Sequence, residues 1–259
     1  MPDSSVAPPL SDAATVLSDF HDAVDAVVEA LAHHDDWGPS SGQTGQYVSD
    51  LVADEAVHRV LDPAGYGVLS EESGLMEATL EGAPVVVVDP LDGSTNASRD
   101  LPWFATSLCA VDGDGPWVAV VVDLVTGTRY DAVRGWGARR DGETVRRGSV
   151  PSMEQAVIGL SGLPPRHLGW GQFRALGAAA LDLCAVADGR LDGYMDCSEN
   201  AHGVWDYLGA MLVCGEAGVE VVDAGGRDLC VLDPGARRTP VAGAGPALTE
   251  ALVAARRSF

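Results

Sequence analysis

The first chemistry in this sequence is a pair of carboxylates three residues apart at the end of an apolar run. They lie in Val85-Val86-Val87-Val88-Asp89-Pro90-Leu91-Asp92-Gly93-Ser94-Thr95-Asn96. Four consecutive valines read as a strand buried on both faces. Asp89 falls where that strand emerges, and Pro90 fixes a turn that folds Asp92 back toward Asp89. Such a pair can share hard divalent cations, which take oxygen ligands, and the Leu91 carbonyl between them offers another oxygen. Gly93 permits close backbone approach, and Gly93-Ser94-Thr95 opens a helical turn whose free N–H groups favour a phosphate oxygen. On their own these residues equally fit a strand followed by an Asx-rich turn, with Asp92 or Ser94 as a cap.

Two further acidic clusters accompany this one. Ser70-Glu71-Glu72-Ser73 follows a short apolar run and alone would be a solvated turn. Gly203-Val204-Trp205-Asp206-Tyr207 opens a helix running to Gly218, where Asp206 alone would be an N-terminal cap. The three clusters outline a candidate carboxylate-rich metal site. Composition narrows its chemistry. The 259 residues include 16 basic side chains against 38 acidic ones, a formal net charge of −22, and every basic residue is Arg. With no lysine, Schiff-base enzymes, P-loop NTPases and the kinase strand lysine are excluded. The negative surface opposes nucleic-acid binding by counterion release and adhesion to anionic membranes. Phosphate handled by such a chain must be neutralised by metal, helix ends or Arg; most of the acidity reads as solvated surface.

The elements that would position these residues follow from periodicity. Residues 1–10 are Pro/Ser-rich and read as frayed. Val16, Phe20, Val24, Val27, Val28 and Leu31 recur at helical spacing behind a cap at Ser11 or Asp12. A second helix is predicted over 49–61, ended by Pro63-Ala64-Gly65. Strands are predicted over 67–69, 85–88, 105–111, 117–122 and 128–133, with turns at Gly113/Gly115 and Thr126-Gly127. Strands and helices then alternate: a strand over 157–160, a helix over 173–187, a strand over 191–195, a helix over 205–217, strands over 219–222 and at Val241, and a terminal helix over 247–257. This pattern predicts an α/β (α+β mixed) chain forming one unit, with an N-terminal lobe over 11–150 and a C-terminal lobe over 151–259. Cys109, Cys184, Cys197, Cys214 and Cys230 form no C-x-x-C pair and mostly sit among apolar neighbours. They suit a reducing cytoplasm, as does an N-terminus without a basic, signal-like segment. No apolar run is long enough to span a bilayer.

In order and spacing the three acidic clusters resemble the inositol monophosphatase family of metal-dependent, lithium-sensitive phosphatases. Ser70-Glu71-Glu72-Ser73 is similar to its G-E-E-S motif, residues 89–96 to D-P-[IL]-D-G-[ST]-T-N, and residues 205–218 to W-D-x-x-[AG]…E-A-G. Weaker echoes are Tyr47-Val48-Ser49-Asp50 (V-T-x-x-D), Gly135-Trp136-Gly137-Ala138 (G-x-G-A), and residues 174–193 (R-x-x-G-[ST]-A-A-L-D-L…G-R-x-D-G). The resemblance spans roughly residues 12–258. It implies a layered αβαβα sandwich of the inositol monophosphatase/fructose-1,6-bisphosphatase type and a homodimer. It also implies two Mg²⁺ ions: Glu71, Asp89 and the Leu91 carbonyl would hold the first, and Asp89, Asp92 and Asp206 the second. A third, loosely held ion would face Glu71 through water. Ser94, at the family's Thr position, would orient and deprotonate the attacking water with Glu71. The amides of Gly93, Ser94 and Thr95 would grip the phosphate, and Asp196 and Asp206 would meet the substrate.

The implied reaction is Mg²⁺-dependent hydrolysis of a small polyol or sugar phosphate such as inositol 1-phosphate. Paired metals stabilise both the attacking and the leaving oxygen of an in-line displacement. Fructose 1,6-bisphosphate, histidinol phosphate and 3′-phosphoadenosine 5′-phosphate are alternative substrates. A silent ligand-binding relative would have lost a ligand, and none is lost; a cation-buffering halophilic protein would scatter its acids rather than cluster them. Two departures from the family pattern, a short Ser161–Phe173 segment and a long link from Asp196 through Cys197, Ser198, Glu199, Asn200 and Ala201 to His202, are expected to form the lip that selects substrate. His202, beside the site in sequence, could contact substrate but reads more readily as a solvated loop histidine; Arg166 and Arg174 could reach an acidic substrate but read more readily as helix-surface residues in salt bridges.

Overall fold

The computed structural model describes residues 12–42, 45–148 and 151–259. The expected frayed segment over 1–10 and the alternative cap Ser11 lie outside them; Asp12 caps the first helix, accepting the Ala14 amide at 3.1 Å. In chain order the elements begin with α1 (Ala13–Ala32), α2 (Val48–Ala64), β1 (Gly67–Ser70), β2 (Gly74–Met76), β3 (Val85–Asp92), α3 (Ser94–Ala97), β4 (Ala105–Asp112) and β5 (Gly115–Asp123). Next come β6 (Arg129–Val133), β7 (Gly137–Arg140), β8 (Glu143–Val145), β9 (Val157–Ser161), β10 (Gln172–Arg174), α4 (Ala179–Ala187) and β11 (Gly193–Asp196). After a 3-10 turn over Val204–Asp206, α5 (Leu208–Ala217), β12 (Glu220–Asp223), β13 (Pro240–Gly243) and α6 (Pro246–Arg256) complete the chain.

Two mixed sheets result, ordered β2-β1-β3-β4-β5-β6-β7-β8 and β10-β9-β11-β13-β12. Helices α1 and α2 cover one face of the first sheet, α4 and α5 lie between the sheets, and α6 covers the far face of the second. Alternation along β3 drives this layering, because successive strand residues point to opposite faces. Val86 and Val88 pack into a cluster with Phe20, Val24 and Val57 of α1 and α2. Val87 faces the opposite way, into a cluster with Leu181 and Leu183 of α4 and Leu208 and Val213 of α5. That cluster continues to Tyr194 and Ala242 of the second sheet. Ile158, Met195 and Val241 pack with Leu248 and Leu252 of α6. The αβαβα sandwich is therefore the observed architecture.

Several predicted boundaries change. Pro63 lies within α2, which ends one turn later at Gly65 in the left-handed region (φ +86°). The helix expected over 173–187 is shorter: residues 172–174 are the edge strand β10, and α4 starts only at Ala179. Parallel pairing of β10 with β9 overrides the helical propensity of these residues. Arg174 is consequently on an exposed strand and bonds Gln172 and the Phe173 carbonyl; Arg166 bonds Ser258. Among the described residues neither makes the expected salt bridge. The helix expected from Trp205 is broken at Tyr207 (φ −135°), so Asp206 ends a separate turn rather than opening α5.

Candidate metal centre and phosphate-binding turn

Strand pairing brings the first two acidic clusters together. The parallel register of β1 and β3 sets Ser70 beside Val88, and the Glu71 amide donates to the Val88 carbonyl at 3.2 Å. Glu71 therefore leaves its strand next to Asp89. The turn behind it is tied down by Ser70, whose buried hydroxyl bonds Asp54 and accepts the Glu72 amide at 3.2 Å. Asp89 Oδ1 accepts the Leu91 amide at 3.1 Å, the Asx turn that the Pro90 geometry suggested. Asp206 arrives from the other side of the sequence on its own 3-10 turn, which packs against β3. One ligand atom from each of Glu71, Asp89 and Asp206 lies within 4.8 Å of the others.

Asp92 is held differently. It is buried, and its two oxygens accept the Ala179 and Ala180 amides at 3.2 and 2.7 Å, capping α4. The cap and metal-ligand readings of Asp92 are thus compatible, since each carboxylate oxygen has a second lone pair. Between Asp92 and α3 stands Gly93, with φ +87°. A Cβ there would lie 3.0 Å from the Trp103 carbonyl and 3.2 Å from the Ala178 Cβ, so only glycine fits. Asn96 fastens this turn to the start of α4, donating at 2.8 Å to both the Trp103 and Leu176 carbonyls.

The electrostatics are those of crowded negative charge. Burial, then Glu71, Asp92 and Asp206, push the Asp89 carboxyl well up. Burial and Asp206 raise Asp92 to about 7, against the α4 amides and His202. Glu71 is exposed at the rim but enclosed on its inner side. That enclosure, then Asp206, Glu72 and Asp92, raise it to about 8. Among the described residues no Arg pairs with these four carboxylates. All-oxygen donors and mutual repulsion, offset at Asp206 by His202 alone among the described residues, are what a hard divalent cation fits.

An open cleft of about 220 Å³ is lined by Glu71, Asp89, Asp206, residues 91–95 and Gly177. It shares Asp92, Gly177 and Asp206 with a second cleft of about 170 Å³, whose far wall is Leu160, Ser161, Asp182, Tyr194 and His202. Asp182 is buried and accepts the Trp103 indole N–H at 3.0 Å. The expected substrate contact Asp196 and the expected lip residue Glu199 line neither cleft. The Asp196 side chain is fully buried, accepting the Ser198 amide at 2.8 Å, and its Oδ1 is 3.8 Å behind His202 Nε2. Glu199 lines a separate cavity of about 680 Å³ with Arg227, Arg256 and Phe259. Of the short segment expected in the lip, only Ser161 reaches the second cleft.

Sequence reasoning understated two residues. His202 is buried rather than solvated, with Nδ1 2.9 Å from Asp206 Oδ2. Burial alone would depress it, but the bond to Asp206 and the charges of Asp206, Asp196 and Asp92 outweigh burial and raise it to about 9. Asp50 is buried beside Ser94. Burial pushes its carboxyl up to about 7 despite the Tyr47 amide, Glu72 adds to the rise, and the neighbouring Ser94 hydroxyl opposes it. Among the described residues its Oδ1 has no hydrogen-bond partner. The echo at residues 47–50 is the available signal for Asp50, and the position of His202 just before Asp206 is the signal for His202.

Comparison with known proteins places the chain in a family. An inositol-1-monophosphatase of Mesorhizobium japonicum is 36% identical over 208 residues, covering 71% of this chain and 75% of the relative. A fructose-1,6-bisphosphatase of Pyrococcus furiosus is 30% identical over 193 residues, covering 73% and 74%. The crystal structure of the extragenic suppressor protein suhB from Bartonella henselae superposes with a TM-score of 0.77 at 25% identity, covering 93% of this chain and 98% of that one. The inositol monophosphatase family profile matches residues 48–259. This chain belongs to the inositol monophosphatase family of metal-dependent phosphatases.

Proposed function

We propose that the chain hydrolyses the monophosphate ester of a small uncharged polyol, with Mg²⁺ bound by Glu71, Asp89, the Leu91 carbonyl, Asp92 and Asp206. The observation that carries this reading is the pair of joined clefts. In the first, carboxylates face the 93–95 turn; in the second, polar groups face a small space with no Arg. Bound Mg²⁺ would supply charge neutralisation and a more acidic water. The chain does the positioning. The free amides of Gly93, Ser94 and Thr95 hold phosphoryl oxygens, as unpaired N–H groups at the start of a helical turn do. Ser94, between Glu71 and Asp50, orients the attacking water and passes its proton to a carboxylate.

The departing alcohol then occupies the second cleft, because that cleft continues from Asp92 and Asp206. Ser161, Tyr194 and His202 offer it hydroxyl and imidazole partners, and Asp182 and Asp92 bring negative charge. A second phosphate there would meet carboxylates with no Arg to neutralise them, which disfavours fructose 1,6-bisphosphate. Phosphate release from inositol 1-phosphate and from fructose 1,6-bisphosphate, each with Mg²⁺ and with EDTA, tests the proposal. The expected kcat/KM is at least about 10-fold higher for the monophosphate, with activity abolished in EDTA. Preference for the bisphosphate would overturn the assignment of the second cleft.

A further inference from the structure

Asp206 and the wall of the second cleft meet at one side chain. His202 Nδ1 lies 2.9 Å from Asp206 Oδ2, and the Gly203 amide donates to the same oxygen at 2.9 Å. An ionised carboxylate only accepts, so Nδ1 carries the proton in this contact. Both donors load Oδ2, which leaves Oδ1 unshared and fixes the plane of the carboxylate. The other ring nitrogen, Nε2, lies 3.1 Å from the Tyr194 hydroxyl and 3.2 Å from Ser161 Oγ, both on the cleft wall. His202 is held in place itself: its carbonyl accepts the Arg238 amide at 2.9 Å, and its ring packs against the fully buried Tyr194.

We propose that His202 is a positioning residue with two separable tasks. Its Nδ1 orients Asp206 toward the cation, and its Nε2 orders the Ser161 and Tyr194 hydroxyls that read the departing alcohol. The first task is an outer-shell role, in which a hydrogen bond to a ligating carboxylate sets its direction and basicity. The second makes the imidazole a determinant of substrate choice, because a hydroxyl whose partner is fixed can reject an alcohol that fails to pair with it. His202 lines this cleft and Asp196, whose Oδ1 is 3.8 Å from His202 Nε2, does not.

Two conservative variants separate the tasks by reach. In His202→Asn the side-chain amide overlays Nδ1 and not Nε2; in His202→Gln it overlays Nε2 and not Nδ1. Mn²⁺ binding to the substrate-free protein, followed by calorimetry or electron paramagnetic resonance, reads the first task without catalysis. His202→Ala and His202→Gln are expected to weaken Mn²⁺ binding about 10-fold, and His202→Asn to restore it. The second task rests on the function proposed above and is read as KM for inositol 1-phosphate at saturating Mg²⁺. Here His202→Gln is expected to stay near wild type, while His202→Asn and His202→Ala raise KM several-fold.

Circular dichroism melts confirm that each variant is folded before either measurement. Unchanged Mn²⁺ affinity in folded His202→Ala would overturn the positioning of Asp206. Loss of both properties to the same degree in Asn and Gln variants would overturn the separation of tasks. If the wild type hydrolyses no polyol monophosphate, the substrate reading fails while the Mn²⁺ series still tests the contact to Asp206.

Discussion

Asp92 Oδ2 accepts the Ala180 amide at 2.7 Å, so a candidate cation ligand is also the N-terminal anchor of α4. With the Ala179 amide on Oδ1, both oxygens are engaged by a helix that lies between the two sheets. Asp92→Asn would set an amide N–H₂ against a backbone N–H. It is therefore expected to cost stability as well as activity, about 1–3 kcal/mol. Urea melts of the variant in EDTA check this: an unchanged midpoint would mean that the helix cap contributes nothing.

Ser94→Ala removes the hydroxyl beside Asp50 and leaves the amides of residues 93–95 in place. A lower kcat, by about 10²-fold, with little change in KM is the expected signature of lost water orientation beside intact phosphate binding. Steady-state kinetics on inositol 1-phosphate decide it, and a raised KM with unchanged kcat would move Ser94 from water orientation to binding.

Crowding of Glu71, Asp89 and Asp206 means that the fold without a cation carries unrelieved repulsion. Mg²⁺ should raise the melting temperature, by an amount equivalent to about 2.7 kcal/mol at 100 times its dissociation constant. Glu71→Gln should raise the melting temperature in EDTA and shrink the Mg²⁺-induced rise. Scanning fluorimetry across an Mg²⁺ titration reads both effects, and an equal Mg²⁺ response in wild type and variant would remove Glu71 from the ligand set.

Acid sensitivity should come from Asp223. Burial would raise its carboxyl, but the Arg227 guanidinium and the Thr239 and Arg227 amides outweigh burial and hold it down at about 2. The folded pKa lies below the unfolded value near 4, so the unfolded chain binds the proton first as pH falls. The stabilisation is fully present above about pH 4 and is lost as pH falls toward about 2. Asp223→Asn should lower stability at pH 7 and flatten its dependence in that interval; parallel slopes for both proteins would assign the acid sensitivity elsewhere.

Local chemistry in the sequence was enough for the strand that carries Asp89 and Asp92 and for the helical start behind it. The turn expected at Pro90 is instead an irregularity within β3, which stays paired with β4 as far as Asp92. The Val85–Val88 run and Gly93 carry their own backbone instructions, so a buried strand and a helical start follow without reference to distant residues. The same holds for α1, whose apolar spacing alone determines its buried face. Residues 172–174 are the contrary case: Gln172, Phe173 and Arg174 are compatible with a helix and say nothing of the parallel partner β9 that draws them into a strand. Asp196 and His202 differ for a related reason. Both sit on a segment without periodicity, and which of them faces the cleft depends on how Tyr194, Ser161 and Asp206 pack around the ring. Sequence determined which carboxylates could gather, because strand ends and turns are local. Only the tertiary structure decided what stands beside them, because a cleft wall is assembled from β9, β11 and the 3-10 turn, whose proximity no short stretch of chain encodes.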